Sequence, residues 1–371
     1  MWGKKIGKKN GFRKVNLRSL HGVYTFANQR YIKEDGVHSS FLEEIGCASG
    51  GRYSVGLDSF ICQWSNEVSY EKVSELITVM TGEKQLSKQG LAGYIGQRAV
   101  EISSDLQKKS LGISYGSILI SEEVDVYSVD SEEVILMIDD VLVKAQKPHK
   151  KVARTEEDAK RIGITVALIS DKSGNYHSFT EGINAQGEVI YAIEDAIQDK
   201  IMEFHSDEDK PLPIVAITDG ARSIRLSLEK VFGLMVCIIL DWYHLCHKLR
   251  TLMSMIACNK EDKILYINDL TKLLWNGKVQ DALAYMADMP RIKNVEKYQE
   301  LIGYLEKHEK EIIDYEKRQK AGKTIGSGRC EKANDVIVAR RQKKKGMAWA
   351  ENGSKALAIV KVFIDNKKTA A

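Results

Sequence analysis

The sequence lacks the features of membrane and secreted proteins. It has no apolar run that approaches the roughly 20 residues needed to cross a bilayer. Its six cysteines include no Cys-x-x-Cys pair and show no spacing typical of a disulfide framework. The first residues are basic but lack the apolar segment of a secretory signal, so we expect no export and reduced thiols. These absences exclude an integral membrane protein and a disulfide-stapled secreted domain.

What is present describes a soluble globular protein with clustered charge. The chain has 371 residues, 43% hydrophobic and 29% charged, which predicts two or three domains. The net charge of +4 is modest, but residues 1–18 contain only basic charged residues and residues 329–345 are strongly basic. Clustered positive charge favours phosphate backbones. A solubilising face or a disordered arm is the alternative for the N-terminal cluster.

Three acidic residues carry the main chemical signal. Asp139 and Asp219 each follow a short apolar run that predicts a strand, and Glu331 follows a Gly-Ser-Gly turn that opens a basic helix. These acids are far apart in the sequence, so only a fold can bring them together. Gathered carboxylates repel one another unless a hard divalent cation neutralises them. The pattern therefore indicates metal-dependent chemistry on phosphodiesters.

Two Mg²⁺ or Mn²⁺ ions fit three such carboxylates, because Mg²⁺ keeps several waters and needs few protein ligands. Asp139 would bridge both ions, with Asp219 and Glu331 each completing one site. Asp140 should point away, since side chains alternate along a strand. The alternative is that Asp219 belongs to a simple turn with Gly220 and that Asp139 is a solvated acid at a strand end.

A second polar cluster is Asp241-Trp-Tyr-His244, directly after another apolar run. Asp241 and His244 lie three residues apart on the expected first turn of a helix, so they face one side. They could form a proton-transfer or phosphate-contacting pair beside the carboxylates. Alternatively, Asp241 is a helix N-cap and His244 a packing residue. A zinc site that adds Cys246 and His247 is a weaker possibility, because no second ligand pair follows.

The order of predicted elements indicates an α/β fold with a ribonuclease H-like mixed sheet flanked by helices. Three strands, a helix, a strand, a helix and a strand follow one another, and an all-helical insertion then precedes Glu331. The predicted strands cover residues 134–138, 163–170, 176–180, 214–218 and 234–240, and the predicted helices cover residues 188–204 and 223–231. The predicted domains are 1–54 (basic strands and turns), 55–110 (helix-turn-helix), 130–241 (core, first part), 242–322 (insertion) and 323–371 (core, last part).

Residues 55–107 have the outline of a helix-turn-helix. A helix ends at Thr81-Gly82, and Ser87 is placed as the N-cap of a second helix over residues 88–102. In such a motif the second helix enters a DNA major groove. The candidate DNA-facing residues on it are Lys88, Gln89, Gln97 and Arg98. Helix pairs of this outline also occur in proteins that never bind DNA.

A basic segment next to Glu331 is the second candidate DNA contact. A cationic helix that ends in Gly346 and an exposed Trp would grip phosphates and stack a base. A solvated charged face is the alternative. The candidate residues are Arg329, Arg340, Arg341, Lys343, Lys344, Lys345 and Trp349.

Taken together, four motifs resemble those of bacterial DDE insertion-sequence transposases of the Kra/Lre type, a group distantly similar to Mutator-like elements. The resemblance covers residues 10–366, and Asp140 departs from it, since glycine is expected after the first aspartate. The motifs are Ile-Asp139-Asp-Val-Leu-Val, Ile-Thr-Asp219-Gly-Ala, Leu-Asp241-Trp-Tyr-His244-Leu and Ile-Gly-Ser-Gly-x-x-Glu331 followed by Gly346-Met-x-Trp349.

The resemblance implies Asp139, Asp219 and Glu331 as the metal-binding triad and Asp241 with His244 as an accessory pair. It implies cleavage of double-stranded DNA at element ends and attack of a 3′-hydroxyl on target DNA. It also implies a homodimer or larger assembly in the bacterial cytoplasm. A domesticated DNA-binding protein and a ribonuclease H-like nuclease without strand transfer are the alternatives.

Overall fold

The structure is a computed structural model, and its elements form a mixed α/β arrangement. Residues 1–6 of the basic N-terminal cluster and residues 234–235 of a predicted strand lie outside the described part. No helix in the described part is long and apolar enough to cross a membrane. The described residues are 7–48, 52–111, 119–121, 123–147, 161–205, 210–233 and 236–369.

The elements follow in two groups. The first is β1 (Lys8–Ser19), β2 (Gly22–Ile32), β3 (His38–Ser40), α1 (Phe41–Glu44), α2 (Val55–Ser65), α3 (Tyr70–Thr81) and α4 (Lys88–Leu111). The second is β4 (Val134–Lys144), β5 (Arg161–Ser170), β6 (Tyr176–Thr180), β7 (Gly182–Ile183), β8 (Val189–Tyr191), α5 (Ile193–His205), β9 (Ile214–Thr218), α6 (Arg222–Phe232), β10 (Cys237–Leu240), α7 (Trp242–Ile256), α8 (Lys260–Trp275), α9 (Val279–Ala287), α10 (Val295–Lys307), α11 (Tyr315–Lys320), α12 (Gly328–Asn334), a π-helix (Asp335–Ala339), α13 (Arg340–Gln342) and α14 (Glu351–Thr369).

The central sheet has five strands in the order β10-β9-β4-β5-β6. β4 pairs antiparallel with β5, and β5 with β6, whereas β9 and β10 run parallel to β4. This order is consistent with a ribonuclease H-like core. Alternate residues of β4 and β9 enter two different apolar clusters, one on each face of the sheet. Helices cover both faces, which explains why these strands read as continuous apolar runs.

Two predicted boundaries in the core are wrong. β4 does not end at residue 138 but continues to Lys144, with Val141 and Val143 buried and Leu142 exposed between them. The predicted helix over residues 188–204 begins only at Ile193, because the preceding residues form the β7–β8 hairpin. Gly187, at a φ of 87°, lies in the turn of that hairpin.

Helices α2, α3 and α4 match the predicted helical segment, although α4 extends beyond residue 102. The hydroxyls of Ser54 and Ser69 cap α2 and α3, and Gly82 ends α3 in a left-handed conformation. These helices share one apolar core with α14, including Leu357 and Val360. This helical segment therefore packs against α14, with α4 in the most extensive contact.

The chain between β10 and α12 is helical, as predicted. Its helices share the apolar cluster on one face of the sheet, where Trp242, Trp275 and Tyr315 contact one another. The last helix of this segment is anchored by the fully buried Arg318, which forms a 2.6 Å ion pair with Glu133. The chain then returns to the sheet as α12, which packs on β4 and β5.

Candidate active site

The strand register places three aspartates at one edge of the sheet. Met137 of β4 pairs with Ile217 of β9, and Asp139 and Asp219 each follow two residues later. Asp241 directly follows β10, and its backbone N–H donates to the carbonyl of the last residue of β9 at 2.8 Å. Neighbouring strands lie about 4.8 Å apart. The pairing of β4 with β9 ends at Met137, whereas β4 itself continues to Lys144. Asp139 is therefore part of β4 but lies beyond the end of β9.

Asp139 is a half-buried carboxylate with both oxygens engaged. One oxygen accepts a 2.8 Å hydrogen bond from the backbone N–H of Asp140, and the other accepts a 2.7 Å bond from Nδ2 of Asn334. Burial raises the pKa of Asp139, and the nearby charge of Asp219 raises it further. Asp140 is exposed and accepts a 2.7 Å bond from the Thr165 hydroxyl. The site thus brings two like charges together at the position of Asp139 and not of Asp140.

Packing against His308 restricts the turn that carries Asp219. The Asp219 carboxylate accepts a 2.8 Å bond from the backbone N–H of Ala221. Gly220 has a φ of 82°, and a Cβ atom on it would lie 2.7 Å from Cε1 of the buried His308. His308 in turn contacts Glu311 through Nδ1 at 2.6 Å. Only glycine fits here, so the direction of the Asp219 side chain is set by the packed helical segment.

His244 lies close enough to the carboxylates of Asp241, Asp219 and Asp139 for their charges to raise its pKa. Asp241 is the main cause that raises the pKa of His244 to about 9, and Asp219 and Asp139 add to it. The Nδ1 atom of His244 lies 3.7 Å from Oδ1 of Asp241, so the attraction is a charge interaction and not a hydrogen bond. His244 therefore supplies a positive charge, one-third exposed, beside Asp139 and Asp219.

Asp241 has a structural role. It is fully buried, and Oδ1 accepts a 2.9 Å bond from the backbone N–H of His244, which makes it the N-cap of α7. Oδ2 accepts bonds from both the backbone N–H and the hydroxyl of Ser327. The side chain of His244, followed by these bonds, holds the pKa of Asp241 down at about 2 despite its burial. The prediction that Asp241 transfers protons or contacts phosphate is wrong. Both carboxylate oxygens are buried and accept hydrogen bonds within the protein, so they cannot reach a substrate.

Glu331 lies on the same short helix as the Ser327 turn but faces solvent. Its neighbour Cys330 is buried, and this burial raises the pKa of the Cys330 thiol. The negative charges of Asp139, Glu331 and Asp219 raise that pKa further. In the described ranges, no three His, Cys, Asp or Glu side chains form a group that could hold a metal ion. The structure therefore brings Asp139 and Asp219 together and leaves Glu331 at the rim.

The absence of such a metal-binding group in the described residues also excludes the zinc site with Cys246 and His247. Cys246 points into the apolar core, whereas His247 on the next residue of α7 is exposed. Two side chains that diverge in this way cannot share one tetrahedral ion with Asp241 and His244.

Asn334 is a site residue that the sequence analysis missed. It lies three residues after Glu331 on α12, is 7% exposed and contacts Asp139. Its Oδ1 atom is buried and has no hydrogen-bond partner in the described part of the chain. The spacing of three residues, which puts two side chains on one helical face, was the signal that could have found it.

The basic segment after α12 is only partly a surface. Arg341 is 3% exposed, donates a 2.9 Å bond to the carbonyl of Ser65 and lies over the rings of Tyr70 and Trp349. The prediction that Arg341 contacts DNA is therefore wrong. Trp349 is half-buried, with its indole N–H bonded to the carbonyl of Gln342 at 3.0 Å, so it is not the exposed stacking residue that was expected.

The remaining basic residues of this segment are exposed. The helix ends at Gln342, so Lys343, Lys344 and Lys345 lie on a turn and not on a continuous cationic helix. Arg329 lies over the ring of Tyr176, and Arg340 pairs with its helical neighbour Asp335 at 2.7 Å. This exposed group borders the face of α12 that carries Glu331.

Of the predicted DNA-facing residues of α4, some are exposed and one is held by contacts within the protein. Lys88 and Gln89 are exposed at the start of the helix and line a groove whose other wall includes Trp349. Gln97 is exposed and donates to Glu101 at 3.1 Å. Arg98, in contrast, is held inside the helical group by ion pairs to Asp58 at 3.0 Å and Glu101 at 2.6 Å. Lys88, Gln89 and Gln97 are therefore exposed, and Arg98 is the one of the four that is held by contacts within the protein.

Comparisons with known proteins include a distant similarity to a solved structure. No protein-family model matches the chain, and no curated protein matches it. Among solved structures, the chain is similar to one titled "Drosophila P element transposase strand transfer complex", with a TM-score of 0.27 and 9% sequence identity. The similarity covers 91% of this chain and 82% of that chain. The functional proposal for this chain therefore rests on its own residues.

Proposed function

We propose that this chain is a divalent-metal-dependent enzyme that cleaves and joins DNA strands, a transposase of the Kra/Lre insertion-sequence type. The observation that carries the proposal is the alignment of Asp139 and Asp219 on adjacent parallel strands, close enough to raise the pKa of Asp139. Two carboxylates held together in this way, without an ion pair to a Lys or Arg among the described residues, are the donors that Mg²⁺ or Mn²⁺ prefers. The donor chemistry of the edge therefore fits the ion.

The residues at this edge would divide the work of a phosphoryl transfer. When bound, two divalent ions activate a water or 3′-hydroxyl and stabilise the leaving oxygen. Asp139 and Asp219 would hold them, and Glu331 would complete the ligand set by turning its side chain from solvent towards Asp139. Asp241 positions Glu331 by anchoring Ser327, where α12 begins. The positive charge of His244 would attract the phosphate that is cut.

Substrate binding would use exposed basic residues on both sides of this edge. Lys343, Lys344 and Lys345 lie directly after α13, and the ribbon of β1 and β2 contains no acidic residue. Phosphate contacts of this kind give affinity without sequence preference. Helices α3 and α4 would form the helix-turn-helix, with Lys88 and Gln89 at the accessible end. The ligand is double-stranded DNA, both element ends and target, bound by a homodimer or larger assembly.

The test is cleavage of labelled DNA that carries the flanking repeats of the chain's own locus, with Mg²⁺, Mn²⁺ or EDTA. We expect metal-dependent nicks at the repeat ends by the wild type and none by Glu331→Ala. Joined products on a second, unlabelled duplex distinguish strand transfer from hydrolysis alone. Nicks without joining would identify a ribonuclease H-like nuclease instead.

A domesticated DNA-binding protein is the second candidate. The observation that favours it is the exposed position of Glu331, since the described residues contain no group of three His, Cys, Asp or Glu side chains that could hold a metal ion. Tight binding to the repeat ends with no cutting under any metal, and with the same affinity for Glu331→Ala, would support this reading.

A further inference from the structure

Asn334 combines three observations that its neighbours do not share. It is more than nine-tenths buried, it donates to Asp139, and its Oδ1 atom is buried without a hydrogen-bond partner in the described residues. A buried carbonyl oxygen without a partner is unfavourable, and in a native structure it calls for a physical explanation. Ser65 and Asn66 also have buried oxygens without a partner in the described residues, so it is the contact with Asp139 that distinguishes Asn334.

The backbone at Asn334 is also unusual. α12 ends at this residue, and a five-residue π-helix, Asp335–Ala339, begins directly after it. A π-helical turn is rare, is less favourable than a continued α-helix and is frequent at functional sites. Here the wider turn follows the residue that contacts Asp139, and Ile337 and Val338 remain buried against the sheet.

We propose that Asn334 is a further residue of the metal site, where Nδ2 orients the Asp139 carboxylate and Oδ1 serves the divalent cation. This inference rests on the proposed function. An amide oxygen is a ligand type of hard cations and also accepts hydrogen bonds from the waters that Mg²⁺ keeps. Because an ionised carboxylate only accepts, the amide must present its NH₂ group to Asp139, and this leaves the carbonyl oxygen for the cation side.

The position of Asn334 also gives it a different role from that of Glu331 on α12. Glu331 and Asn334, three residues apart, lie on one side of the helix, with Glu331 at the solvent rim and Asn334 against the sheet. Asn334 is thus a positioning residue for Asp139 that is in place before any cation binds. A fixed carboxylate loses less conformational freedom on binding a cation, which raises the affinity of the site.

The test is Mn²⁺ binding without DNA, measured by electron paramagnetic resonance of the free ion. We expect Asn334→Leu, which removes both polar atoms, to weaken Mn²⁺ binding by about tenfold or more, the usual effect of losing an outer-shell partner. Asn366→Leu is the matched control, because Asn366 likewise donates a single 2.8 Å bond to the sheet, at Ser178, away from the site. Wild-type affinity in a folded Asn334→Leu would overturn the inference.

Asn334→Asp provides a second readout that a merely structural amide would not give. A carboxylate at this position faces Asp139, so the melting temperature should fall in EDTA and rise with Mn²⁺ by more than that of the wild type. No additional Mn²⁺ effect on the melting temperature would contradict the inference. If Asp139→Asn abolishes Mn²⁺ binding while both Asn334 variants bind normally, only the role of Asn334 fails. If the wild type binds no Mn²⁺, the proposed function fails with it.

Discussion

Asp241 and Ser327 are 86 positions apart, yet one carboxylate oxygen of Asp241 accepts both the backbone N–H and the hydroxyl of Ser327. The first residue follows β10 and caps α7, and the second begins α12. This contact fixes the start of the helix that carries Glu331 against the edge of the sheet that carries Asp139 and Asp219. It explains why a buried acid accompanies the candidate site without touching a substrate.

Removing the Ser327 hydroxyl should therefore destabilise the protein. We expect Ser327→Ala to lower the free energy of unfolding by about 1–3 kcal/mol, because a buried charge loses one of its bonds. Urea denaturation measures this change. Ser254→Ala is the control, since that hydroxyl bonds only to a carbonyl of its own helix on the surface. Equal, small effects of the two substitutions would show that the contact contributes little.

The charge of His244 predicts a pH dependence of stability. Asp241 above all raises the folded pKa of His244 from 6.5 to about 9. A raised pKa contributes stability that is fully present below pH 6.5 and is lost as the pH rises through 9. Denaturation in EDTA should show the wild type losing stability between these limits, whereas His244→Gln should lose less. Parallel pH profiles for the two proteins would argue against the charge interaction.

Gly220 predicts a clash that acts on Asp219. Gly220→Ala would place a Cβ 2.7 Å from His308 at a φ of 82°, so we expect a loss of more than about 1 kcal/mol in stability. Gly174→Ala is the matched control, because Gly174 has a φ of 78° but nothing within 4 Å of an added Cβ. The difference between the two variants in thermal denaturation isolates the steric cost. A Gly220→Ala variant no less stable than Gly174→Ala would show that His308 can move aside.

The exposed lysines predict a change in the salt dependence of DNA binding. Lys343→Ala combined with Lys344→Ala should lower the affinity and reduce the slope of log K against log salt by about 2, one per lost phosphate contact. Lys307→Ala combined with Lys310→Ala makes the same charge change on the helical segment and should leave the slope unchanged. Filter binding or fluorescence anisotropy at several salt concentrations gives both slopes. An unchanged slope in the first variant would make its lysines bystanders.

The sequence predicted the parts of the fold that depend on local pattern. The apolar runs before Asp139 and Asp219 identified two central strands, because buried parallel strands have no polar face. Gly82 identified the end of α3, and Ser87, whose hydroxyl accepts from the backbone N–H of Gly90, identified the start of α4. β4 was predicted too short because two adjacent aspartates look like a strand end, whereas the alternation at Val141 and Val143 continues the strand.

The parts that could not be predicted depend on tertiary contacts. Arg341 lies in a run of basic residues, and only the folded chain shows it buried between Tyr70 and Trp349. Likewise, the spacing of three residues places Asn334 on the same side of α12 as Glu331, but only the folded chain shows that Asn334 contacts Asp139 while Glu331 faces solvent. The predicted metal triad stays a prediction, since Glu331 is not gathered with the two aspartates.

Metal-dependent DNA nicking by Asp139→Asn and by Asp140→Asn, compared with the wild type, tests the central claim most directly. The two substitutions make the same chemical change at adjacent residues, but only Asp139 faces Asp219 and Asn334. Nicking in Mg²⁺ that is lost in Asp139→Asn and kept within a few-fold in Asp140→Asn is the predicted result. Nicking that survives in Asp139→Asn, or that is lost equally in both variants, would contradict the assignment of this edge of the sheet as the active site.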